Sequence, residues 1–375
     1  MNHIDWLSDQ TDILLNPRTP QNDQQETKKL IHSLPTLKAH VWLSTSGSSG
    51  IVKWAALSKE AIINSAKAVN THLQSTSRDI WLNPLPLFHV GGLGILARGF
   101  ANGASVVNFK KPWNAQMFCE AIVESNATLT ALVPTQVYDL VNLNVKSSVK
   151  LRAVIVGGGR LSEPIYQKAR KLGWPLLPSY GLTECGSQVA TPVIDRYDSD
   201  FIQPKKVLDH LQVKIDEEGR ICVKGSSLLT CYAIQTSSGP QLTDPKLEGW
   251  YHTEDLGSIQ DGFLHVHGRK GDFIKIGGES VDLSRLEKIL DEIKINVAID
   301  PDNILIAAAD LRLGHVIHLV TTNQSNTQQL VKIYNEKVMP FERIRHVHQV
   351  SSIPRSPLNK VLKRQLSFLL NLPIL

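Results

Sequence analysis

"STSGSSGIVK", residues 44–53, holds five small hydroxyl side chains, two glycines and a lysine, and its only bulky apolar residues are Ile51 and Val52. Such a segment adds little to a core. Glycine and serine let the backbone approach a ligand and aim N–H and hydroxyl groups at anionic oxygens, and a lysine adds a mobile positive charge. Two readings stand side by side: a phosphate cradle and a flexible surface loop. A Walker loop does not fit, because it needs GxxxxGK[ST] leading straight into a helix. Here Gly47 and Gly50 lie closer together, and Lys53 is followed by Trp54. "HVWLST" (40–45) on one side and "IVKWAAL" (51–57) on the other read as strands. The loop therefore joins strand to strand.

Outward from it, "SKEAIINSAKAVNTHLQ" (58–74) places Ile62, Ala66, Val69 and Leu73 at helical spacing, with Ser58 as N-cap. "DIWLNPL" (79–85), "ASVVNF" (104–109), "LTALV" (129–133) and "RAVIV" (152–156) are short apolar runs separated by helix-length segments. That alternation predicts an α/β sheet covered by helices. From about residue 187 the texture becomes strand–turn–strand, with Asp261-Gly262 as a tight hairpin turn. A smaller α+β unit follows Arg269, with helices over 283–293 and 326–338 and strands over 303–309 and 315–321. Residues 1–40 are polar and broken by Pro17, Pro20 and Pro35.

A chain of 375 residues exceeds one simple core and predicts two or three domains. The net charge of +5 is mild, and no Lys/Arg block carries interleaved aromatics, so nucleic acid is not an expected partner. Cys119, Cys185, Cys222 and Cys231 are scattered without a CxxC pair. Neither a zinc site nor a disulfide framework is expected, and a reducing cytoplasm suits them. The N-terminus has neither the basic start nor the apolar stretch of a signal peptide. No apolar run approaches the roughly 18 residues of a membrane span.

The loop resembles the "[ST]SG[ST]TGxPK" segment of the AMP-forming adenylating enzymes, which include acyl-CoA synthetases, luciferases and peptide-synthetase adenylation domains. Ser49 replaces the usual threonine and Val52 the usual proline. Five further stretches resemble family motifs in the family's order. They are "PLPLFHVGGLG" (84–94), "SYGLTECG" (179–186), "GWYHTEDLG" (249–257), "HGRKGDFIKIGGESV" (267–281) and "IPRSPLNKVLKRQL" (353–366). Glu254 and Asn359 stand where glycine is usual. The resemblance runs from about residue 40 to the C-terminus.

The resemblance implies a large α/β domain over 1–270, with a β-rich part at about 187–268, and a small mobile α+β domain over 271–375. Because the phosphate loop comes so early, the large domain is expected to be truncated at its N-terminus. The implied cofactors and substrates are ATP, Mg2+, coenzyme A and a small-molecule carboxylic acid. The carboxylate attacks the α-phosphate of ATP, giving acyl-AMP, and a thiol then displaces AMP. Thr45, Ser46, Gly47, Ser48, Ser49, Gly50 and Lys53 would cradle phosphates, Thr183 would donate to one, and Glu184 would hold Mg2+. A single carboxylate beside phosphates and water suits that ion. Gly157, Gly158, Gly159, Ser179, Tyr180 and Gly181 would receive adenine, with Asp255 and Arg269 at the ribose and phosphate. Lys360 would be the catalytic lysine, His89 a gate at the acyl site, and Gly271 and Asp272 the hinge.

"PLPLFHVGGLGILARGFANGASVV" and "LVPTQVYDL" also resemble the 2-succinylbenzoate–CoA ligases of menaquinone and phylloquinone biosynthesis. Arg98, on an apolar helix face, needs an anion. A second substrate carboxylate would supply it; the alternatives are a structural salt bridge or a surface arginine that snorkels to water. Thr135 and Gln136 would line the acyl pocket. A CoA ligase for another acid, an adenylation enzyme loading a carrier protein and a non-catalytic nucleotide binder stay open as alternatives, as does self-association.

Overall fold

The computed structural model describes residues 4–45, 53–194, 202–237, 239–276, 279–297, 302–310, 312–323, 325–357 and 359–372. Two compact units emerge. The first is Met1–Thr253 with Ser258–His265, and the second is Glu254–Gly257 with Val266–Leu375.

A five-stranded parallel sheet lies in the first unit. Its spatial order is Ser105–Asn108, Ile80–Asn83, Leu129–Leu132, Ala153–Val156, Leu176–Pro178. Its central strands read as continuous apolar runs because helices bury them: Trp81, Leu82, Leu129, Leu132, Ala153 and Val154 are all fully buried. The chain steps outward from Ile80–Asn83 to Ser105–Asn108, then returns to the other side at Leu129–Leu132. That reversal creates a crevice beyond the carboxyl ends of the strands. The segments after Asn83, Leu132, Val156 and Pro178 all leave from those ends.

A second sheet, of five strands, places Lys53–Ser58 between His40–Thr45 and Cys231–Thr236. His40–Thr45 and Lys53–Ser58 are antiparallel, with Thr45 opposite Lys53, so the glycine-serine segment does connect strand to strand. Ser46, Gly47, Ser48, Ser49 and Gly50 lie outside the described residues. The helix Lys59–His72 follows directly, and the Ser58 side chain accepts from the Ala61 amide at 3.0 Å, as the sequence predicts. Ala61, Ile62, Ala66 and Val69 form its buried stripe.

From Ser187 to Arg269 every described element is a strand. The Asp261-Gly262 turn has positive φ at both residues (52° and 79°), the geometry of a tight two-residue hairpin. The second unit has its own core, in which Ile276, Val281, Leu286, Ile317, Leu319 and Leu330 are fully buried between the helix Leu283–Asn296 and the sheet Asn303–Asp310, Gly314–Thr321, Ile344–Gln349. Several elements have no counterpart in the sequence reading, among them the strands Asp12–Leu14 and Ile344–Gln349 and the helix Gln21–His32. Gln21–His32 is a helix starting after Pro20, and of its residues only Ile31 is buried. With so little apolar periodicity, its signal in the sequence is weak. Among the described residues no helix is long and apolar enough to cross a membrane.

Candidate active site

Four segments leave the parallel sheet on the crevice side. Gly157–Gly159 follow Ala153–Val156, and Ser179-Tyr180 follow Leu176–Pro178. Ser179 Oγ donates to Val156 O at 3.1 Å, tying the two segments together. A Cβ on Gly157 would meet only Ser179 Oγ at 3.5 Å, and one on Gly159 only Pro134 at 3.6 Å. Both are ordinary contacts, so the fold itself does not require these glycines. Gly181 is different: a Cβ there would lie 2.0 Å from Ser187 O. The pairing of Tyr180–Leu182 with Ser187–Thr191 demands that glycine whatever binds nearby. Tyr180 is buried.

Beyond Leu182 the chain makes a single 3-10 turn, Thr183–Cys185, closed by Gly186 in the left-handed region. The turn presents Glu184, and its orientation is set by a residue that no motif flagged. Tyr232 donates its hydroxyl to Glu184 Oε1 at 2.6 Å and lies 3.0 Å from the Tyr251 hydroxyl. Burial, reinforced by Glu184, pushes the Tyr232 phenol far above its ordinary range, so it stays a donor. Lys53 Nζ sits 5.4 Å from the centre of the Tyr232 ring. Tyr232 and Lys53 come from paired strands, Cys231–Thr236 and Lys53–Ser58. A carboxylate, a lysine and hydroxyl donors thus gather around one aromatic ring. All-oxygen donors with an adjacent cation fit Mg2+ carrying phosphate.

His89 is the N-cap of the helix Val90–Asn102, with its ring 4.6 Å from that of Phe88. Burial holds its pKa down to about 4, and Nε2 is buried with no hydrogen-bond partner. The turn before it packs so closely that a Cβ on Gly92 would lie 2.4 Å from Pro86 O.

Arg98 sits two turns further along the same helix, with only 2% of its surface exposed. Its guanidinium carbon lies 5.3 Å from the Trp81 ring centre, and Nη2 donates to Ser187 Oγ at 3.1 Å. Nε and Nη1 are buried without a partner, and burial holds the group down to about 9. Among the described residues no carboxylate pairs with it. The snorkelling and salt-bridge readings therefore both fall away. Ser187 opens the strand Ser187–Thr191 just after Glu184, so the uncompensated cation lies against that strand. Thr135 Oγ1 is also buried without a partner. Gln136 spends its side-chain oxygen on the helix start, accepting from the Val133 amide at 3.0 Å.

In the second unit, Arg269 Nε donates to Asp255 Oδ1 at 3.0 Å. Lys360 lies in the segment before the helix Lys363–Leu369, in a loop closed by Ser356 N to Lys360 O at 2.7 Å. Asn359 has φ of 61° there, a left-handed conformation that asparagine tolerates better than most residues, which accounts for it at a glycine position. Gly271 and Asp272 belong to the 3-10 turn Lys270–Asp272.

Glycine-bearing segments at the carboxyl edge of a parallel sheet are the layout of a ligand-binding α/β enzyme, and Glu184 and Lys53 gather around the Tyr232 ring. The chain belongs to the AMP-binding enzyme family, whose pattern matches residues 7–233. It is 26% identical over 364 residues to the 2-succinylbenzoate–CoA ligase of Bacillus cytotoxicus, an alignment covering 93% of this chain and 74% of that protein. Among solved structures it resembles o-succinylbenzoate CoA synthetase (MenE) from Bacillus subtilis in complex with the acyl-adenylate intermediate OSB-AMP. The TM-score is 0.73 and the identity 26%, covering 87% of this chain and 68% of that one. A structure of the same enzyme with ATP and magnesium ion matches with the same TM-score at 25% identity, over 87% of this chain and 69% of that one.

Proposed function

We propose that the chain is a 2-succinylbenzoate–CoA ligase working through an acyl-AMP intermediate. Its reaction class, an AMP-forming acid–thiol ligase, follows from the family and the relatives. ATP and Mg2+ serve the first half-reaction and coenzyme A the second. The observation that carries the choice of acid is Arg98, a buried cation with two unpartnered nitrogen groups and no paired carboxylate among the described residues. A buried charge without a partner is costly. A dicarboxylic substrate supplies the missing anion from its second carboxylate, and 2-succinylbenzoate has one to spare.

In the first half-reaction the attacking carboxylate is already nucleophilic, so the work is to bring two anions together and to spread charge in the transition state. Lys53 and Thr45, with the loop between them, take the leaving phosphates. Glu184, held by Tyr232, and Thr183 are the groups that would hold Mg2+ and its phosphate. When bound, the ion neutralises the charge that develops on the phosphate oxygens. Tyr180 and Gly157–Gly159 receive adenine, and Asp255 and Arg269 receive the ribose and α-phosphate. Lys360 bridges the attacking and attacked groups, as a point charge on a flexible stem can. His89, neutral because of its burial, gates the acyl site. Rotation at Gly271 and Asp272 exchanges Lys360 for the thiol-facing surface between half-reactions.

The test is pyrophosphate and AMP release over a panel of acids, with and without coenzyme A. The expected result is CoA-dependent AMP release with 2-succinylbenzoate and weak activity with benzoate-type mono-acids. Equal activity with mono-acids refutes the choice of acid but leaves the reaction class standing.

A further inference from the structure

The first unit contains a second constellation that uses none of these residues. Asp216 follows the strand Leu211–Ile215, Cys222 lies in Arg220–Gly225, and His252 lies in Trp250–Gln260. Cys222 Sγ is 3.2 Å from His252 Nδ1 and 3.7 Å from Asp216 Oδ2, and His252 Nδ1 is 3.4 Å from the same oxygen. The three donor atoms form a nearly equilateral triangle.

Its size is informative. Zinc bonds of about 2.3 Å to sulfur and about 2.0–2.1 Å to nitrogen and oxygen, set at tetrahedral angles, place sulfur roughly 3.5 Å from each lighter ligand and those two roughly 3.3 Å apart. The observed separations of 3.2, 3.7 and 3.4 Å lie within about 0.3 Å of those edges. The carboxylate is oriented as a ligand's would be. Its Oδ1 accepts the Glu218 and Arg220 amides at 3.0 and 2.9 Å, which turns Oδ2 toward the sulfur and the imidazole. Arg220 Nε also donates to Oδ2 at 2.8 Å, and Glu218 lies 3.6 Å from the Arg220 guanidinium. Arg220 therefore opposes a cation here, and Glu218 offsets part of that opposition. Cys222 is fully buried, whereas the His252 and Asp216 side chains are 29% and 15% exposed. A fourth position would open on their solvent side.

We infer that Asp216, Cys222 and His252 form a binding site for a thiophilic divalent metal, zinc or a close analogue, separate from the nucleotide site. Sulfur with imidazole selects such ions over Mg2+ and Ca2+. Binding exchanges the Cys222 thiol proton, released to solvent, for a metal–sulfur bond, and water completes a tetrahedron. The ion joins the 216–219 turn to the strand of His252. Its role is a structural clip, because the site lies among strands and shares no residue with the adenylation machinery.

The probe is Co2+ added to the full-length, chelator-stripped protein. One equivalent should bind, with thiolate-to-cobalt charge-transfer absorption and the intense visible bands of tetrahedral cobalt, and Zn2+ should bleach both. Zn2+ should also raise the melting temperature. Cys222→Ala should abolish the charge-transfer band and weaken binding at least about 100-fold, since losing even an outer-shell partner costs about 10–100-fold. His252→Gln, at a partly exposed position, should weaken binding similarly and guards against misfolding of the buried variant. The His346→Gln/His348→Gln double variant removes the two imidazoles in ring contact with His318 and should leave cobalt binding unchanged. Cobalt binding without the thiolate band, or with unaltered affinity in both site variants, overturns the assignment and leaves the three groups as a hydrogen-bonded trio beside Arg220.

Discussion

Replacing Arg98 with methionine should make the protein more stable and a worse enzyme at once. Methionine fills a similar volume without charge. Burial holds the guanidinium down to about 9, and at about 1.4 kcal/mol per pKa unit that corresponds to a native-state penalty of about 5 kcal/mol. The substitution removes that penalty. It also gives up the Trp81 contact and the Ser187 hydrogen bond, together about 2–4 kcal/mol. A net gain of about 1–3 kcal/mol is expected, within the range of about 1–4 kcal/mol seen when buried charges yield to packed apolar groups. The assay is urea unfolding of the ligand-free protein, read as a higher midpoint at an unchanged slope. Activity should move the other way. A charge-assisted bond to the distal carboxylate is worth about 1.5–3 kcal/mol, so the Michaelis constant for 2-succinylbenzoate should rise about 10- to 150-fold. The constants for ATP and CoA should hold steady. A destabilised variant with an unchanged Michaelis constant for the acid would show that Arg98 has a structural partner, and the reasoning would fail.

Lys360→Ala should slow acyl-AMP formation by about 10²–10³, the size of losing one preorganised charge stabiliser, and should slow thioester formation from supplied acyl-AMP far less; equal losses in both contradict the proposed hinge. Tyr232→Phe removes the donor to Glu184 and should raise the Mg2+ requirement about 10- to 150-fold, by about 1.5–3 kcal/mol for a charged hydrogen bond, whereas an unchanged Mg2+ titration would separate Glu184 from the metal. Lys53→Ala should weaken productive ATP use without lowering the melting temperature, and unaltered ATP kinetics would remove Lys53 from the phosphate site. His89, His210 and His318 are each held down to about 4, chiefly by burial. The unfolded chain therefore binds more protons between about pH 6.5 and 4, so stability is full above that window and is lost as pH falls through it. His89→Gln should flatten the pH dependence of the urea midpoint, and an unchanged slope would show that His89 titrates normally.

The strands of the parallel sheet, the capped helix Lys59–His72 and the Asp261-Gly262 hairpin were legible because apolar period, cap chemistry and turn residues act within a few positions. The helix Gln21–His32 was not, because its register is set mainly by docking Ile31. The candidate site divides along the same line. Gly157–Gly159, Thr183 and Glu184 announce themselves by local pattern. The groups around them do not: Tyr232 meets Glu184 across 48 residues of chain, and Ser187 meets Arg98 across 89. "LTCYAIQT" reads only as an apolar strand, and no spacing joins Cys222 to His252. Sequence alone located the strands of the parallel sheet, the capped helix and the hairpin turn. Tertiary structure decided which charges are buried and what faces them, because strand pairing brings together side chains whose separation along the chain carries no signal of contact. Arg98 shows the difference most plainly. An arginine in an apolar helix is visible at once, but the absence of any carboxylate beside it among the described residues is a fact about the assembled core.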